Sequence, residues 1–185
     1  MPETPESVEE DKLRRKRIRR GRFDLRPDQV GTTTHELIAE LFVSEIDLDD
    51  PIAINDHMRK RVLSYSISHT QSRRLRVGTS VAKYFSRFRR STDWTFLGAE
   101  VHVGDVRLDL LWIGKDGQIQ ADEVKTGIGA VFGKERTLRP QLEAQVAAGV
   151  QVFGGKFHGV RAVLLSRPEE SFLATRTTHG GQIAV

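Results

Sequence analysis

The sequence predicts an α/β domain: an N-terminal helical region leading into a core whose elements run α-β-β-β-α-β. Three observations carry this. Apolar residues recur at helical spacing over the first half of the chain. At Trp94 the pattern changes to alternation, and two turn sequences, Gly104-Asp105 and Lys115-Asp116-Gly117, divide the alternating part into three segments. A second helical pattern and a short apolar run from Val160 to Leu165 then close the order.

The first 26 residues begin rich in Pro and Glu and turn rich in Arg, with few apolar side chains. Such a segment is expected to be a disordered basic tail. Residues 27–185 then form one domain, with a helical part over 31–91 and a sheet part over 92–166. Pro27 and Asp28 read as a turn. Gly31 to Thr34 offers N-caps for a first helix over 33–46, whose apolar side carries Leu37, Ile38, Leu41, Phe42 and Val43. Asp49-Asp50-Pro51 breaks the pattern and restarts it, because Pro is tolerated in a first helical turn. A second helix follows over 52–66.

Thr79 or Ser80 can cap a further helix, with Val81, Tyr84, Phe85 and Phe88 as its apolar stripe. Lys83, Arg87 and Arg90 fall off that stripe. The strands are expected at 94–103, 106–113 and 118–125. A helix over 139–153, opened by Pro140, carries Leu142, Val146, Val150 and Phe153 on one side. The Thr- and Gly-rich last twenty residues read as a loose end or an edge element.

Composition narrows the function. A length of 185 residues suits one domain with a real core. A hydrophobic share of 38% with 29% charged residues is that of a globular protein. The absence of cysteine excludes disulfides, thiolate zinc sites and a cysteine nucleophile. No apolar run approaches the roughly 18 residues of a membrane span, and the N-terminus lacks the apolar stretch of a signal peptide. A cytoplasmic protein without a membrane partner is therefore expected.

The net charge is only +4, but it is segregated. Residues 11–26 hold nine Lys/Arg against Asp11 and Asp24, and residues 59–90 hold ten Lys/Arg and no acidic residue. A one-signed stretch repels itself unless an anion compensates it, and nucleic acid is the usual such anion. Arg73, Arg74, Arg76, Lys83, Arg87 and Arg90 are thus expected to contact DNA. The plain alternative is a solvated surface.

In a strand, residues i and i+2 share a face. Glu123 and Lys125 therefore share one face of the third strand, and Asp122 points to the other. Asp109 lies inside the apolar run Leu108-Asp109-Leu110-Leu111-Trp112-Ile113. A carboxylate buried there is costly unless something compensates it. Glu100, on the preceding strand, reaches Asp109 if the Gly104-Asp105 turn closes the hairpin. Three carboxylates are thus expected to converge beside one lysine. Clustered carboxylates repel one another without a cation, and a hard divalent ion such as Mg2+ or Mn2+ answers that. The lysine suits activation of a water or stabilisation of charge on a phosphate. An ordinary ion pair explains Glu123 and Lys125 alone. It does not explain Asp109 in its apolar setting.

At "GAEVHVGDVRLDLLWIGKDGQIQADEVKTG" the chain resembles the PD-(D/E)xK nuclease superfamily, and within it the RecB-like, Cas4-type exonucleases. The resemblance implies a restriction-endonuclease-like core. An acid on one strand would be Glu100, an Asp on the next Asp109, and the Glu-x-Lys of the third Glu123 and Lys125, followed by Thr126-Gly127. It implies that Asp109, Glu123 and the Val124 carbonyl ligate the metal, with Lys125 at the water.

RecB-like members also carry a metal-ligating His on an early helix. His35 in "GTTTHELIAELF" is the match, and it is equally readable as a core histidine satisfied by a backbone carbonyl. Glu36 would serve if the helix is rotated. Members further carry Gln-x-x-x-Tyr after the catalytic lysine. Here Gln141 matches, but Gln145 stands where Tyr is expected.

The expected function is a metal-dependent DNA nuclease acting in repair, recombination or defence against foreign DNA. A partner protein or self-association would help so short a chain hold DNA. The alternatives are a nuclease-like module that binds DNA or a partner without cutting, and a basic DNA-binding module whose acids are structural.

Overall fold

The computed structural model describes residues 27–64, 71–127, 135–176 and 183–184. The expected tail over 1–26 lies outside them. The helices are α1 (Pro27–Val43), α2 (Pro51–Ser64), α3 (Gln71–Arg87) and α4 (Glu135–Phe153). The strands are β1 (Trp94–Val103), β2 (Val106–Gly114), β3 (Ile119–Lys125), β4 (Phe157–Leu164), β5 (Phe172–Arg176) and the short β6 (Ile183–Ala184).

The sheet is mixed, in the order β1-β2-β3-β4-β5, with β6 paired to β5. β1, β2 and β3 form consecutive antiparallel hairpins. The turns between them need a left-handed residue, and Gly104 and Gly117 supply it with φ of 57° and 80°. β4 lies parallel to β3, and α4 makes the crossover that a parallel pair requires.

Helices cover both faces of the sheet. On one face Leu37, Ile38 and Leu41 of α1, Ile54 and Met58 of α2, and Val77, Val81, Tyr84 and Phe85 of α3 pack with Leu110, Trp112, Val124 and Val163. On the other, Leu138, Leu142 and Val146 of α4 pack with Leu111, Ile119, Ala121, Val160, Ala162 and Leu164. β3 is therefore buried from Ile119 to Val124, although Gln120, Asp122 and Glu123 are polar. Gly149 lets α4 come down onto β4, since a Cβ there would collide with the Phe157 ring.

Some boundaries differ from expectation. α1 already includes Pro27, so the supposed turn at Pro27-Asp28 is its first turn; Pro fits there because no N–H is needed. The third helix does not start at Thr79 or Ser80 but runs unbroken from Gln71 through Gly78. Val77 extends its buried stripe one turn upstream. α4 starts at Glu135, so Pro140 lies inside it. One proline near the start of a 19-residue helix removes a single intrahelical hydrogen bond. The sheet also runs beyond residue 166: β5 makes the C-terminal stretch an edge element.

Candidate functional site

The site forms where β2 and β3 part. Their pairing ends at Leu110↔Asp122. The Val124 N–H, next along β3, is taken by a side chain of β2 instead of its backbone: it donates to Asp109 Oδ2 at 2.8 Å. Asp109 thereby turns its other oxygen toward α1 and β1. There His35 Nδ1 lies 3.6 Å from Asp109 Oδ1 and 3.5 Å from Glu100 Oε1.

Glu100 reaches this point through an unusual backbone. The β1–β2 register pairs Ala99 with Leu110 and Val101 with Leu108, which sets Glu100 opposite Asp109. Its φ is +53°, a left-handed conformation that costs a non-glycine residue about 1–2 kcal/mol. Strain of this kind is retained where the surroundings and the site demand it. Arg107 holds the other Glu100 oxygen at 2.6 Å.

His35 faces inward from α1, as its spacing with Ile38 and Phe42 implies. Its Nε2 lies 2.8 Å from the Val124 carbonyl oxygen. A carbonyl only accepts, so Nε2 carries the proton. In the neutral ring Nδ1 then presents a lone pair to two carboxylates. The two alternatives weighed for His35 coexist: a backbone carbonyl satisfies one nitrogen, and the other is directed at the acids. One ligand atom from each of His35, Glu100 and Asp109 lies within 4.8 Å of the others. Asp109 is pushed up to about 6, chiefly by burial and further by the nearby Glu123 charge, against the opposing pull of His35, the Val124 N–H and Lys125. A half-buried imidazole lone pair facing two carboxylates is a donor set that fits a divalent cation.

Glu123 does not join this group. On its own side of β3 it ion-pairs with Lys125 through Oε1. Gln141 Nε2 donates to the same oxygen at 2.8 Å, and Lys125 Nζ donates to Gln141 Oε1 at 3.1 Å. Gln145 Nε2 donates to Glu123 Oε2 at 2.6 Å. The expected convergence of three carboxylates is thus two carboxylates with His35, and a third that anchors Lys125. The Val124 carbonyl, expected as a ligand, accepts from His35. Glu36 points outward and is exposed.

Of the residues expected at DNA, Arg90 needs correction. Its side chain is 5% exposed, and it donates to the fully buried Asp122 at 2.6 Å. Arg161 binds the same carboxylate at 2.9 and 2.6 Å, and Tyr84 donates to it at 2.8 Å. Arg90 also lies over the Trp94 ring, 4.4 Å from its centroid. It is a core cation, kept there because Asp122 on the face away from Glu123 needs compensation. Other members of the basic stretch are likewise answered within the fold, Arg61 by Glu40 and Arg89 by Asp49.

Lys83 donates to the Leu165 carbonyl at 3.2 Å, and Leu165 N–H donates to the Lys125 carbonyl at 2.9 Å. Lys83 therefore stands at the end of β3 and β4 that carries Lys125. From there α3 runs back toward Gln71. At 1.5 Å per residue, Arg76 lies about 10 Å and Arg73 about 15 Å farther along its axis, and Arg87 about 6 Å the other way. Arg76 and Arg87 are exposed, and Arg73 and Arg74 are half-buried.

Sequence reasoning left three participants unassigned: Arg107 on Glu100, Arg161 on Asp122, and Gln145 on Glu123. Only the last had a local signal, since Gln141 and Gln145 are spaced to share one helical face. Among the described residues, no helix is long and apolar enough to cross a membrane. No protein-family model matches the chain, and no curated protein matches it.

Proposed function

We propose that the chain is a Mg2+- or Mn2+-dependent deoxyribonuclease of the PD-(D/E)xK type, with a restriction-endonuclease-like core. The observation that carries this is the His35–Glu100–Asp109 donor set, with Lys125 close enough that its charge acts on Asp109. A divalent ion bound there supplies a Lewis acid for a phosphate oxygen and acidifies a water.

The remaining chemistry belongs to the chain. His35 Nδ1 and the Glu100 and Asp109 carboxylates hold the ion, and the Val124 carbonyl fixes the imidazole orientation. A mixed nitrogen and oxygen set accepts Mn2+ readily, whereas Mg2+ prefers oxygen and retains waters. Lys125, held by Glu123 and Gln141, offers its ammonium to the attacking water or to the charge that builds on the phosphate. Arg76 and Arg87 are exposed on α3, the helix whose Lys83 stands at the Lys125 end of β3, and offer cations to a phosphate backbone.

Linear and circular DNA incubated with Mn2+, Mg2+ or chelator test this. Metal-dependent cleavage that chelator stops is the expected result. Metal binding without cleavage turns the reading to a nuclease-like module that binds DNA or a partner. DNA binding without metal binding turns it to a basic binding module.

A further inference from the structure

We propose that Gln145 is a positioning residue that sets Glu123, and through it Lys125, for the reaction. The inference rests on the nuclease reading above and extends it to Gln145, which stands where the Gln-x-x-x-Tyr pattern has its Tyr.

Gln145 is 1% exposed, on the face of α4 that packs under the sheet. Its Nε2 donates twice: to Glu123 Oε2 at 2.6 Å and to the Arg107 carbonyl at 2.9 Å. Both partners are acceptors, so the amide orientation is determined. The two partners lie on different strands, Arg107 on β2 two residues before Asp109, and Glu123 on β3. Backbone pairing between these strands has already ended at Leu110↔Asp122. A single amide therefore spans the opening from the α4 side, while Asp109 spans it through the Val124 N–H.

The consequence falls on Glu123. With Oε2 held by Gln145, Oε1 is presented to Lys125 and Gln141. The carboxylate is thus kept on the lysine and away from the His35–Glu100–Asp109 group. Gln145 Oε1 is buried and finds no partner among the described residues. An apolar side chain of that length would avoid an unsatisfied acceptor in the core. What the amide adds at this position is its donor.

Two variants and two readouts test this in the full-length protein. Gln145→Met keeps the length and loses the donor. Gln145→His keeps a ring N–H at a similar reach. In Mn2+-dependent DNA cleavage, Gln145→Met is expected to lower kcat by about tenfold or more, the order of one hydrogen bond to a charged group, with KM little changed. Gln145→His is expected to recover most of that loss.

The second readout needs no cleavage. Acylation of Lys125 by acetic anhydride, followed by mass spectrometry, is expected to be faster in Gln145→Met than in wild type. It is expected to stay near wild type in Gln145→His, with Lys115 as the internal reference. Wild-type kcat and Lys125 labelling in Gln145→Met would overturn the proposal. Equal impairment of both variants at unchanged Tm would also overturn it. If Gln145→Met does not fold, Gln145→His carries the test alone, and a large loss of kcat in it is the overturning result. A wild-type protein that cuts no DNA overturns the nuclease reading, and Lys125 labelling then decides the role of Gln145.

Discussion

His35 and Val124 are 89 residues apart in the chain, yet the His35 Nε2 lies 2.8 Å from the Val124 carbonyl oxygen. That contact commits one imidazole nitrogen to the backbone of β3 and directs the other at Glu100 and Asp109. His35→Ala removes one of the three proposed ligands, so Mn2+ affinity is expected to fall by at least about tenfold. Calorimetric titration that returns the wild-type Kd would remove His35 from the donor set.

Asp109 gives a pH signature. Its carboxyl sits at about 6 in the fold against an ordinary 3.8. Between these values the folded chain binds more protons than the unfolded chain. Metal-free stability therefore falls as pH rises from about 4 to about 6, by an amount on the order of 3 kcal/mol. Asp109→Asn removes the penalty. In chelator it is expected to raise Tm at pH 8 and to leave it nearly unchanged near pH 3.5. Melting curves showing the same difference at both pH values would contradict the burial of this charge.

Lys125 touches Glu123 and Gln141 and is not one of the donors gathered at His35. Lys125→Ala is expected to abolish cleavage while Mn2+ affinity stays within about threefold, since the proposed role of its ammonium is on water and phosphate. Cleavage at the wild-type rate would exclude the lysine from the chemistry.

Of the arginines expected at DNA, Arg90 stands apart because Asp122 holds it. Changing Arg73, Arg74, Arg76 and Arg87 to Gln is expected to flatten the slope of log affinity against log salt. The change is roughly 3–4 units for duplex DNA, at about 0.9 per phosphate contact. It should be alike for unrelated sequences, since phosphate contacts carry no base information. Arg90→Gln is expected to lower Tm and leave the slope alone. An unchanged slope in the fourfold variant would place DNA elsewhere on the chain.

Asp122 holds Arg90, Arg161 and Tyr84 together on the face of β3 away from Glu123. Asp122→Asn leaves two guanidinium groups facing one neutral amide in a buried site. A loss of about 3–5 kcal/mol is expected, measured by urea denaturation. A loss below about 1 kcal/mol would mean that water reaches the two arginines.

Much of this was legible locally. The alternation from Trp94 onward placed the three strands to within a residue or two. The i, i+2 rule put Glu123 with Lys125 and set Asp122 on the opposite face. The oddity of Asp109 within Leu-Asp-Leu-Leu-Trp-Ile marked an acid that had to be answered by another part of the chain. Where local signals misled, a tertiary contact had replaced them. Thr79 and Ser80 look like caps, but the buried stripe of α3 begins at Val77, upstream of both. Residues 59–90 look like an uncompensated run of positive charge, but Glu40, Asp49 and Asp122 answer three of its members from other elements.

By itself the sequence determined the order of elements, the faces of the strands and the residue types that gather at the site. These depend on periodicity and on the chemistry of single side chains, which act over a few residues. The tertiary structure decided which acids meet. β2 and β3 part after Leu110 and Asp122, so Asp109 takes a backbone N–H and turns to His35. Gln145 enters from α4 and keeps Glu123 with the lysine. Strand divergence and helix docking come from packing both faces of the sheet, and no short stretch of sequence contains that geometry.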